Sequence, residues 1–486
     1  MSHLELTFES GDESLSVRSF RIEEGLNALF TVAITARSVN PDLDLTSFVG
    51  QDAAFLLAGG VERQRRWTGI CSRMEQVRVE PAGLSTYDLT IVPRLWFLTQ
   101  RRNHRIFQHQ SIPAILDKLL AEWGIEPVWN LDRGQYPGLE LRIQYGESDY
   151  AFLSRLVEEA GITFFFVDQH ADAPEQGSRL VFEDRPQGAE RRPVLVPFVD
   201  APEASQAGRL EYLTAVRVSD QVRPGKLVMR DFDFRRPAHR LVGDASAEGG
   251  GLAAMLEQYH YLPGAALAET GQAGDTPVGD DRGVGRHGDA TGQRLAQRSL
   301  GSQRVLKRAV HFETNAFDLV PGVVFAMAGH PRSDLAADKN LLVVHVRLTG
   351  TVGEAWTMSG KALFADQPHY PAHVTPKPRI DGVQSAVVVG PEGQEIHTDE
   401  YGRVRVQFHW DREGQFNEES FVWIRVSQGW AGGGYGMLSL PRVGHEVLVQ
   451  FMDGDPDSPL IVGRAFNATT TVPYALPDHK TVSTWR

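Results

Sequence analysis

The most constraining feature of this sequence is the alternation of apolar and polar residues over short stretches. In RVRVQFHW (residues 403–410), one face carries Val404, Val406, Phe408 and Trp410, and the other carries Arg403, Arg405, Gln407 and His409. Successive side chains of a strand point to opposite faces, so this period of two residues predicts a half-buried strand.

Similar segments lie on either side of this strand. They are SAVVVG (385–390), FVWIRV (421–426), EVLVQF (446–451) and PLIVGRAF (459–466). With residues 403–410 they make five predicted strands, and a five-stranded barrel of the OB type fits that count. Leu448 and Trp423 fall on the face opposite the main apolar stripe, so we expect this barrel to keep apolar surface for neighbouring chains.

The amino-terminal part of the chain shows shorter segments of the same kind. The predicted strands are LELTF (4–8), LFTVAIT (29–35), AAFLLAG (53–59), RWTGICS (66–72) and YDLTIVP (87–93). Gly, Asn, Asp and Pro punctuate them. Many short strands at regular spacing predict a barrel or a sandwich.

An α/β segment follows, at about residues 102–208. In SIPAILDKLLAEWG (111–124) apolar residues recur at helical spacing, with Ser111 as N-cap and Gly124 as the stop. ESDYAFLSRLVEEAG (147–161) predicts a second helix, with Ser148 as N-cap and Gly161 as the stop. The run ITFFFV (162–167) predicts a buried strand.

Strand patterns return in the second half of the chain. They occur in YLTAVRV (212–218), LVMRDFDF (227–234), LVPGVVFAMAG (319–329) and LLVVHVRLTG (341–350). Between them, we expect residues 243–290 to be rich in loops and residues 293–310 to hold one helix. The Pro-rich stretch YPAHVTPKPRI (370–380) predicts the clearest domain boundary.

Charge and cysteine content restrict the functional classes. The 486 residues carry a net charge of −13 and no basic stripe, which disfavours nucleic acid as a partner. Cys71 is the only cysteine, so no internal disulfide can form, as suits a reducing compartment. The first residues lack the features of a secretory signal, and no apolar run is long enough to span a bilayer.

A loop with three alternating aspartates, QFMDGDPDSPLIVGRAFN (450–467), could be a calcium site or a turn. Asp453, Asp455 and Asp457 imitate the start of a calcium-binding loop. The rest of that motif fails, because Ser458 occupies its glycine position and Arg464 its glutamate position. We therefore interpret the loop as a structural turn, shaped by Gly454, Pro456 and Pro459, in which the aspartates accept hydrogen bonds from nearby backbone N–H groups.

Other motifs of catalytic or cofactor-binding proteins match only in part. HEVLV (445–449) lacks the second histidine of a zinc protease and lies in a strand pattern. GVGRHG (283–288) follows a loop, not a strand, and GWAGGGYG (429–436) has no Lys-Ser/Thr after it. His409 and His445 suit edge or surface positions, and Cys71 suits a small buried hydrophobe. We expect no catalytic residue, metal site or cofactor.

Several long segments resemble the VgrG family, the spike proteins of type VI secretion systems. They are 399–467, which contains DEYGRVRVQFHWDREG and GHEVLVQFMDGDPDSPLIVGRAFN, LRIQYGESDYAFLSRLVEEAGITFFF (141–166), DFDFRRP (231–237) and PGVVFAMAGHP (321–331). This family is similar to the fused hub and spike of contractile phage baseplates. The resemblance spans nearly the whole chain.

The resemblance implies a mainly β protein with an α/β insertion. The expected domains are a first hub β-barrel-like domain (1–101), an α/β hub domain (102–208), a second hub β-barrel-like domain (209–375), an OB domain (376–467) and a neck (468–486) leading to a trimeric β-helix needle. The sequence stops at the neck, before any needle, so we expect a piece of a longer chain.

The resemblance also implies a function and partners. A homotrimer would cap a hexameric tube protein of the Hcp type, contact baseplate components, and carry a PAAR-type tip and effectors into target cells through the needle. The protein would assemble in the bacterial cytoplasm and leave the cell without a signal peptide. No nucleic acid is expected as a partner.

Two alternatives remain open. A hydrolytic toxin that degrades peptidoglycan would need a catalytic site that the motifs above do not supply. A nucleic-acid-binding OB protein would need aromatic residues interleaved with basic ones. Trp410, Trp423 and Trp430 are present, but many acidic residues surround them.

Overall fold

The computed structural model describes residues 3–11, 14–58, 64–79, 84–168, 178–202, 210–235, 237–247, 251–262, 264, 289–354 and 356–485. The glycine-rich match at residues 283–288 lies outside these ranges. Short 3-10 helices are Leu45–Ser47, Arg94–Thr99, Arg133–Gln135, Pro186–Gly188, Ser333–Leu335 and Met452–Gly454.

The amino-terminal part consists of strands, as predicted. They are β1 (His3–Phe8), β2 (Ser16–Gly25), β3 (Thr31–Ser38), β4 (Asp52–Ala58), β5 (Gln64–Val79) and β6 (Ser85–Val92). The sequence patterns missed β2. Its pairing with β3 shifts register between Val17 and Ser19, and this irregularity breaks the alternation that would have revealed the strand.

The α/β segment follows the predicted plan. It contains β7 (Arg102–Gln110), α1 (Ile112–Ala121), β8 (Val128–Asn130), β9 (Leu139–Ser148), α2 (Asp149–Ala160), β10 (Thr163–Val167), β11 (Arg179–Glu183) and β12 (Val196–Pro197). The N-caps Ser111 and Ser148 accept from backbone N–H groups three residues on, and Gly161 ends α2 at φ +70°, so the predicted caps are confirmed. The apolar stripes of both helices enclose one core with Phe107, Phe164 and Phe182.

The next part holds more regular structure than predicted. It contains β13 (Leu213–Asp220), β14 (Lys226–Asp231), β15 (Leu241–Ser246), α3 (Leu252–Met255), β16 (Glu257–Tyr261), α4 (Asp289–Arg304), β17 (Arg308–Thr314), β18 (Val324–Phe325), β19 (Met327–Ala328), β20 (Leu341–Thr351) and β21 (Thr357–Phe364). The expectation of a loop-rich stretch at 243–290 was wrong for β15, α3 and β16. The helix predicted within 293–310 ends at Arg304, because residues from Arg308 onward pair as β17 with β13 and β21.

One eleven-stranded sheet joins both predicted hub barrels. Its order is β1-β4-β5-β6-β3-β2-β20-β21-β17-β13, with β18 paired to β20. The amino-terminal strands meet the later ones where β2 runs antiparallel to β20. The later half curls back on itself, since Leu213 of β13 bridges Phe198 and β12 pairs with β19. The two barrel-like halves therefore share a sheet and one hydrophobic core.

Smaller sheets complete the described part of the hub. β14 pairs antiparallel with β15 and parallel with β16. This three-stranded sheet packs on α4 through Leu227, Ala245 and Leu300. In the α/β segment, β10 pairs with β11 and β11 with β8. β7 and β9 form a separate two-stranded ribbon.

The carboxy-terminal domain has the five predicted strands. They are β22 (Gln384–Val389), β23 (Arg405–Phe408), β24 (Arg425–Val426), β25 (Glu446–Phe451) and β26 (Pro459–Ala465), in the order β23-β22-β25-β26-β24. Val404, Val406 and Phe408 are buried as predicted. The predicted fold class, mainly β with an α/β segment and an OB-type barrel, is confirmed.

The second face of β23 differs from the prediction. Gln407 and Arg403 were placed on the outer face but are buried. Gln407 donates to the carboxylate of Asp411, and Arg403 pairs with Asp399, so both polar groups are satisfied inside the fold. Trp423, expected to be exposed for neighbouring chains, is also buried, beneath the guanidinium of Arg405.

Candidate functional site: the junction between hub and OB barrel

The β7–β9 ribbon is one part of the hub, residues 3–364, that packs on the OB barrel, residues 384–465. Phe107 packs into the core of the α/β segment. Leu141 and Ile143 of β9 instead belong to the core of the OB barrel. Successive side chains of a strand point in opposite directions, so the two faces of the ribbon can pack into two different cores.

The aspartate loop between β25 and β26 forms the predicted turn. Gly454 has φ +74°, and Asp453 also takes a left-handed conformation at φ +52°. Asp455 accepts a hydrogen bond of 2.9 Å from the backbone N–H of Asp457. The interpretation of a turn with side-chain acceptors is confirmed for Asp455.

Asp457 has a second role, which the local pattern does not reveal. Its side chain is 7% exposed, and Oδ1 accepts from the backbone N–H of Ile143 at 2.8 Å. Oδ2 lies 2.7 Å from Nζ of Lys377 and 3.6 Å from Nη1 of Arg142. Lys377 also lies 2.6 Å from Oδ1 of Asp455. The loop therefore contacts both β9 and the Pro-rich linker, residues 370–380.

The surrounding charges determine how Asp457 ionises. Burial would raise the pKa of Asp457, but Lys377 and Arg142 outweigh it and hold the pKa below its ordinary value. Burial would likewise lower the pKa of Lys377, and the two aspartates raise it instead. Glu159 of α2 is only half-buried and pairs with Arg142, and it also has a lowered pKa. All four groups are therefore charged at neutral pH.

Acidic residues near α2 extend the cluster on the hub side. Glu147 pairs with Arg155 at 2.7 Å, and Arg155 also donates to the carbonyl of Ile143 at 2.8 Å. Burial outweighs this pairing and raises the pKa of Glu147. Glu158 accepts from the backbone N–H groups of Val374 and Thr375 at 3.0 and 2.9 Å, which fixes the linker to the helix.

The OB barrel contacts the other strand of the ribbon as well. Glu413 pairs with Arg105 of β7 at 3.0 Å, and Arg412 donates to Asn103 at 3.0 Å. Gln108 donates to the carbonyl of Glu419 at 3.1 Å. These contacts lie on β7, whereas the Asp457 contacts lie on β9.

A separate hub segment, just after β14, contacts the barrel through an aromatic residue. The ring of Phe234 lies 5.3 Å from that of Tyr401 in an edge-to-face arrangement. The guanidinium groups of Arg425 and Arg403 lie 4.7 and 5.5 Å from the Phe234 centroid. Phe234 belongs to the DFDFRRP segment singled out in the sequence.

The junction encloses a cavity of about 330 Å³ between α2, the linker and the aspartate loop. Its charged lining includes Arg142, Arg155, Glu159, Lys377 and Asp457. Arg142 pairs with Glu159 and Asp457, and Lys377 pairs with Asp457, whereas Arg155 pairs with Glu147. The chemistry of the arrangement is that of a polar joint between domains.

The other candidate residues are spread over the molecule. Cys71 is buried in β5, and burial raises the pKa of its thiol to about 11. His409 contacts the hydroxyl of Ser385 on the barrel surface, at 3.2 Å. His445 precedes β25, so the HEVLV match lies in a strand. Trp410 packs between Phe408 and the ribbon residue Tyr145.

The described residues contain no group of three or more His, Cys, Asp or Glu side chains arranged to hold a metal ion. Among the helices within the described ranges, none is long and apolar enough to cross a membrane.

Two family models match the two parts that this junction connects. Residues 23–354 match the phage tail baseplate hub (GPD) family. Residues 386–466 match the type VI secretion system/phage-baseplate injector OB domain. The hub model alone covers more than half of the chain.

Individual proteins show the same relationship. The type VI secretion system spike protein VgrG1a of Pseudomonas aeruginosa is 32% identical over 484 residues, 97% of this chain and 71% of that protein. The actin cross-linking toxin VgrG1 of Vibrio cholerae is 33% identical over 500 residues, 98% of this chain and 42% of that protein. Across six such relatives, the chain spans between 42% and 71% of their length.

A solved structure shares the fold. The E. coli c3393 protein, described as a type VI secretion component similar to the T4 bacteriophage tail proteins gp27 and gp5, aligns with a TM-score of 0.65 and 21% identity. The alignment covers 95% of this chain and all of that one. With its hub, OB barrel and ribbon junction, this chain belongs to the VgrG family of type VI secretion system spike proteins.

Proposed function

We propose that this chain forms a homotrimer that serves as a non-enzymatic hub and puncturing spike, delivering effectors across membranes into target cells. The division at residues 101, 208, 375 and 467 is part of this proposal, as is the absence of catalytic residues and cofactors. The protein would assemble in the cytoplasm and be secreted without a signal peptide.

One observation gives the main support for the proposed trimer. The tip loop, residues 429–438, projects from the OB barrel with large side chains in solvent: Trp430 is 83% exposed, Tyr435 75% and Leu438 74%. Met437 N–H donates to the carbonyl of Gly429 at 2.8 Å, so the loop is a formed hairpin. An exposed, preformed apolar patch favours a protein interface, and aromatic anchors of this type dominate binding energy.

The architecture of the hub also fits the expected tube partner. Each chain presents two barrel-like halves in one sheet, so a threefold complex presents six. Six similar units suit a hexameric tube protein of the Hcp type by symmetry. Contacts with baseplate components would use the same end of the hub.

The neck, residues 468–485, suits a segment that becomes ordered against other chains. Its large apolar side chains, Leu476, Val482 and Trp485, are exposed. A surrounding needle formed by three chains would bury them, and a PAAR-type tip and effectors would then attach beyond it. The name of the Vibrio relative assigns actin cross-linking to that protein, of which this chain covers 42%.

Sedimentation velocity over a dilution series tests the trimer. We expect a species of threefold mass that dissociates on dilution, and a tighter trimer when the needle of a VgrG relative is fused after Arg486. A monomer at every concentration in both chains overturns the proposal, and a dimer contradicts its symmetry. Turnover of peptidoglycan by the repurified chain would overturn the non-enzymatic role.

A further inference from the structure

We propose that the hub binds a small organic anion in a cavity between α4 and the eleven-stranded sheet. The ligand would carry a phosphate or carboxylate group on an apolar, aromatic body. This cavity shares no lining residue with the cavity at the junction of hub and barrel. The proposal concerns a single chain and does not depend on the trimer.

The cavity has a volume of about 560 Å³ and lies where separate parts of the hub meet. Its walls are the carboxy-terminal end of α4, the strands β20 and β21, and residues 366–370, which lead into the linker. Pockets that hold small molecules have volumes of roughly 300–1,000 Å³ and are common between packed structural units. The cavity is therefore large enough for a small organic molecule.

Two cations on one wall have no acidic partner. Arg304 and Lys307 both line the cavity and are half-buried. Among the residues that the structure describes, neither forms an ion pair, and the side chain of Arg304 donates one hydrogen bond, 2.6 Å long, to the carbonyl oxygen of Pro224. The dipole of α4 favours cations at this end of the helix, but it leaves their remaining N–H donors for another group. Phosphate and carboxylate groups accept strong hydrogen bonds from such donors.

The other charged residues of the lining leave this positive charge in place. Arg308 is engaged with Asp334 at 2.6 Å, and its guanidinium lies 4.0 Å from the ring centroid of Phe364. Asp366 is the one carboxylate of the described lining, and it is exposed. Three cations against one carboxylate give the cavity a surplus of positive charge, which attracts an anion.

The remaining wall is apolar and aromatic. Tyr370 packs against Gly301 of α4 so closely that an added Cβ would lie 2.3 Å from the Cδ2 atom of the ring. Leu300, Leu342 and Phe364 add further apolar surface. The apolar body of a ligand would be buried here while its acidic group contacts the two cations. Apolar walls with a few well-placed polar groups are typical of small-molecule sites.

A buried nitrogen in the lining also has no partner. His369 is 8% exposed, and its Nδ1 atom makes no hydrogen bond within the described part of the chain. Burial lowers the pKa of His369 to about 4, so the ring is neutral at pH 7 and adds no charge to the site. A buried polar atom without a partner is costly, which favours a bound polar group beside it.

Binding to the complete chain is measured by isothermal titration with four probes: naphthyl phosphate, naphthoate, naphthol and inorganic phosphate. We expect a single saturable site for one or both of the organic acids, and the tighter acid identifies the anionic group. Naphthol lacks the charge and inorganic phosphate lacks the apolar body. Each should therefore bind about tenfold more weakly than the tighter acid.

Substitutions assign the binding to this cavity. Lys307→Gln and Arg304→Gln should each weaken binding of the tighter acid about tenfold, with little effect on naphthol. The matched control is Lys339→Gln, which alters an exposed hub lysine that pairs with Asp338 and does not line the cavity. Circular dichroism checks the fold of each variant.

Three results would overturn the proposal. The first is a lack of saturable binding by both acids at millimolar concentration. The second is equal affinity for the tighter acid and for either naphthol or inorganic phosphate. The third is equal affinity for that acid in the control and in both cavity variants.

Discussion

Nζ of Lys377, in the linker, lies 2.7 Å from Oδ2 of Asp457, in the loop between the last two strands of the OB barrel. The same carboxylate accepts from the backbone N–H of Ile143, so three distant segments meet at one side chain. Lys377 remains 34% exposed, and Asp457 is the more deeply buried partner. Asp457 is therefore the residue at which we expect substitutions to have the largest effect.

Asp457→Asn should lower the free energy of unfolding by about 3 kcal/mol, the lower end of the range for breaking a buried ion pair, because Lys377 keeps Asp455 as a partner. Urea denaturation measures the loss. Asp453→Asn in the same loop is the matched control, since it is the carbonyl oxygen of Asp453 that accepts from Arg379. The control should change stability by less than about 0.5 kcal/mol. Equal losses in both variants would contradict the role of Asp457.

Asp455→Ala should cost about 1–2 kcal/mol, because Lys377 loses one carboxylate and the Asp457 N–H loses its acceptor. The metal content of the purified protein, measured by mass spectrometry, should not change. Stoichiometric calcium that disappears on this substitution would show that the loop is an ion site and not a turn.

Stability should fall on acidification below about pH 5. Asp457 and Glu159 have lowered pKa values, because Lys377 and Arg142 outweigh the effect of burial. A group of this kind contributes fully above its unfolded pKa, about 4, and the contribution is lost as the pH falls through the folded pKa. In Asp457→Asn the difference in unfolding free energy between pH 7 and about pH 3 should therefore shrink.

Glu147 should have the opposite effect on the pH dependence of stability, since burial raises its pKa despite the facing Arg155. Its contribution is present below the unfolded pKa and is lost as the pH rises through the folded pKa. Glu147→Gln should therefore enlarge the loss of stability between pH 7 and pH 4. Identical pH dependence in the native chain and both variants would show that these carboxyls do not control it.

Trp430→Ser should weaken self-association about 30-fold or more, as expected for an aromatic anchor at an interface. The matched control is Val39→Ser, which removes another exposed apolar side chain, on the hub. Sedimentation equilibrium gives both association constants. If the two variants associate alike, the tip loop is not the interface.

Gly69→Ala should destabilise the amino-terminal half of the sheet by about 3 kcal/mol, because an added Cβ would lie 2.0 Å from the carbonyl oxygen of Val92. That neighbour is backbone and cannot rotate away. Gly382→Ala, where no heavy atom lies within 4 Å, is the control. Equal urea midpoints for the two variants would contradict the close approach.

Much of the local structure was predictable because it depends on neighbouring residues. Ser148 and Gly161 bound α2 through hydrogen bonds and a left-handed turn that lie within a few residues of each other. The five strands of the OB barrel were predicted from alternation, and the aspartate loop from its turn residues. The long resemblance to VgrG proteins supplied the family and the arrangement of hub and barrel.

Only the tertiary structure placed the distant partners. Asp457 lies 314 positions from Ile143, and β2 pairs with β20 across more than 300 residues, so no local pattern reports either contact. Gln407 and Trp423 have nearer partners, Asp411 and Arg405, but the strand pattern places both residues on the outer face and does not report their burial. A sequence determines which segments alternate, cap and turn, because those effects act over a few residues. Packing between separate elements decides which carboxylate is desolvated, because desolvation and charge pairing act through space and not along the chain.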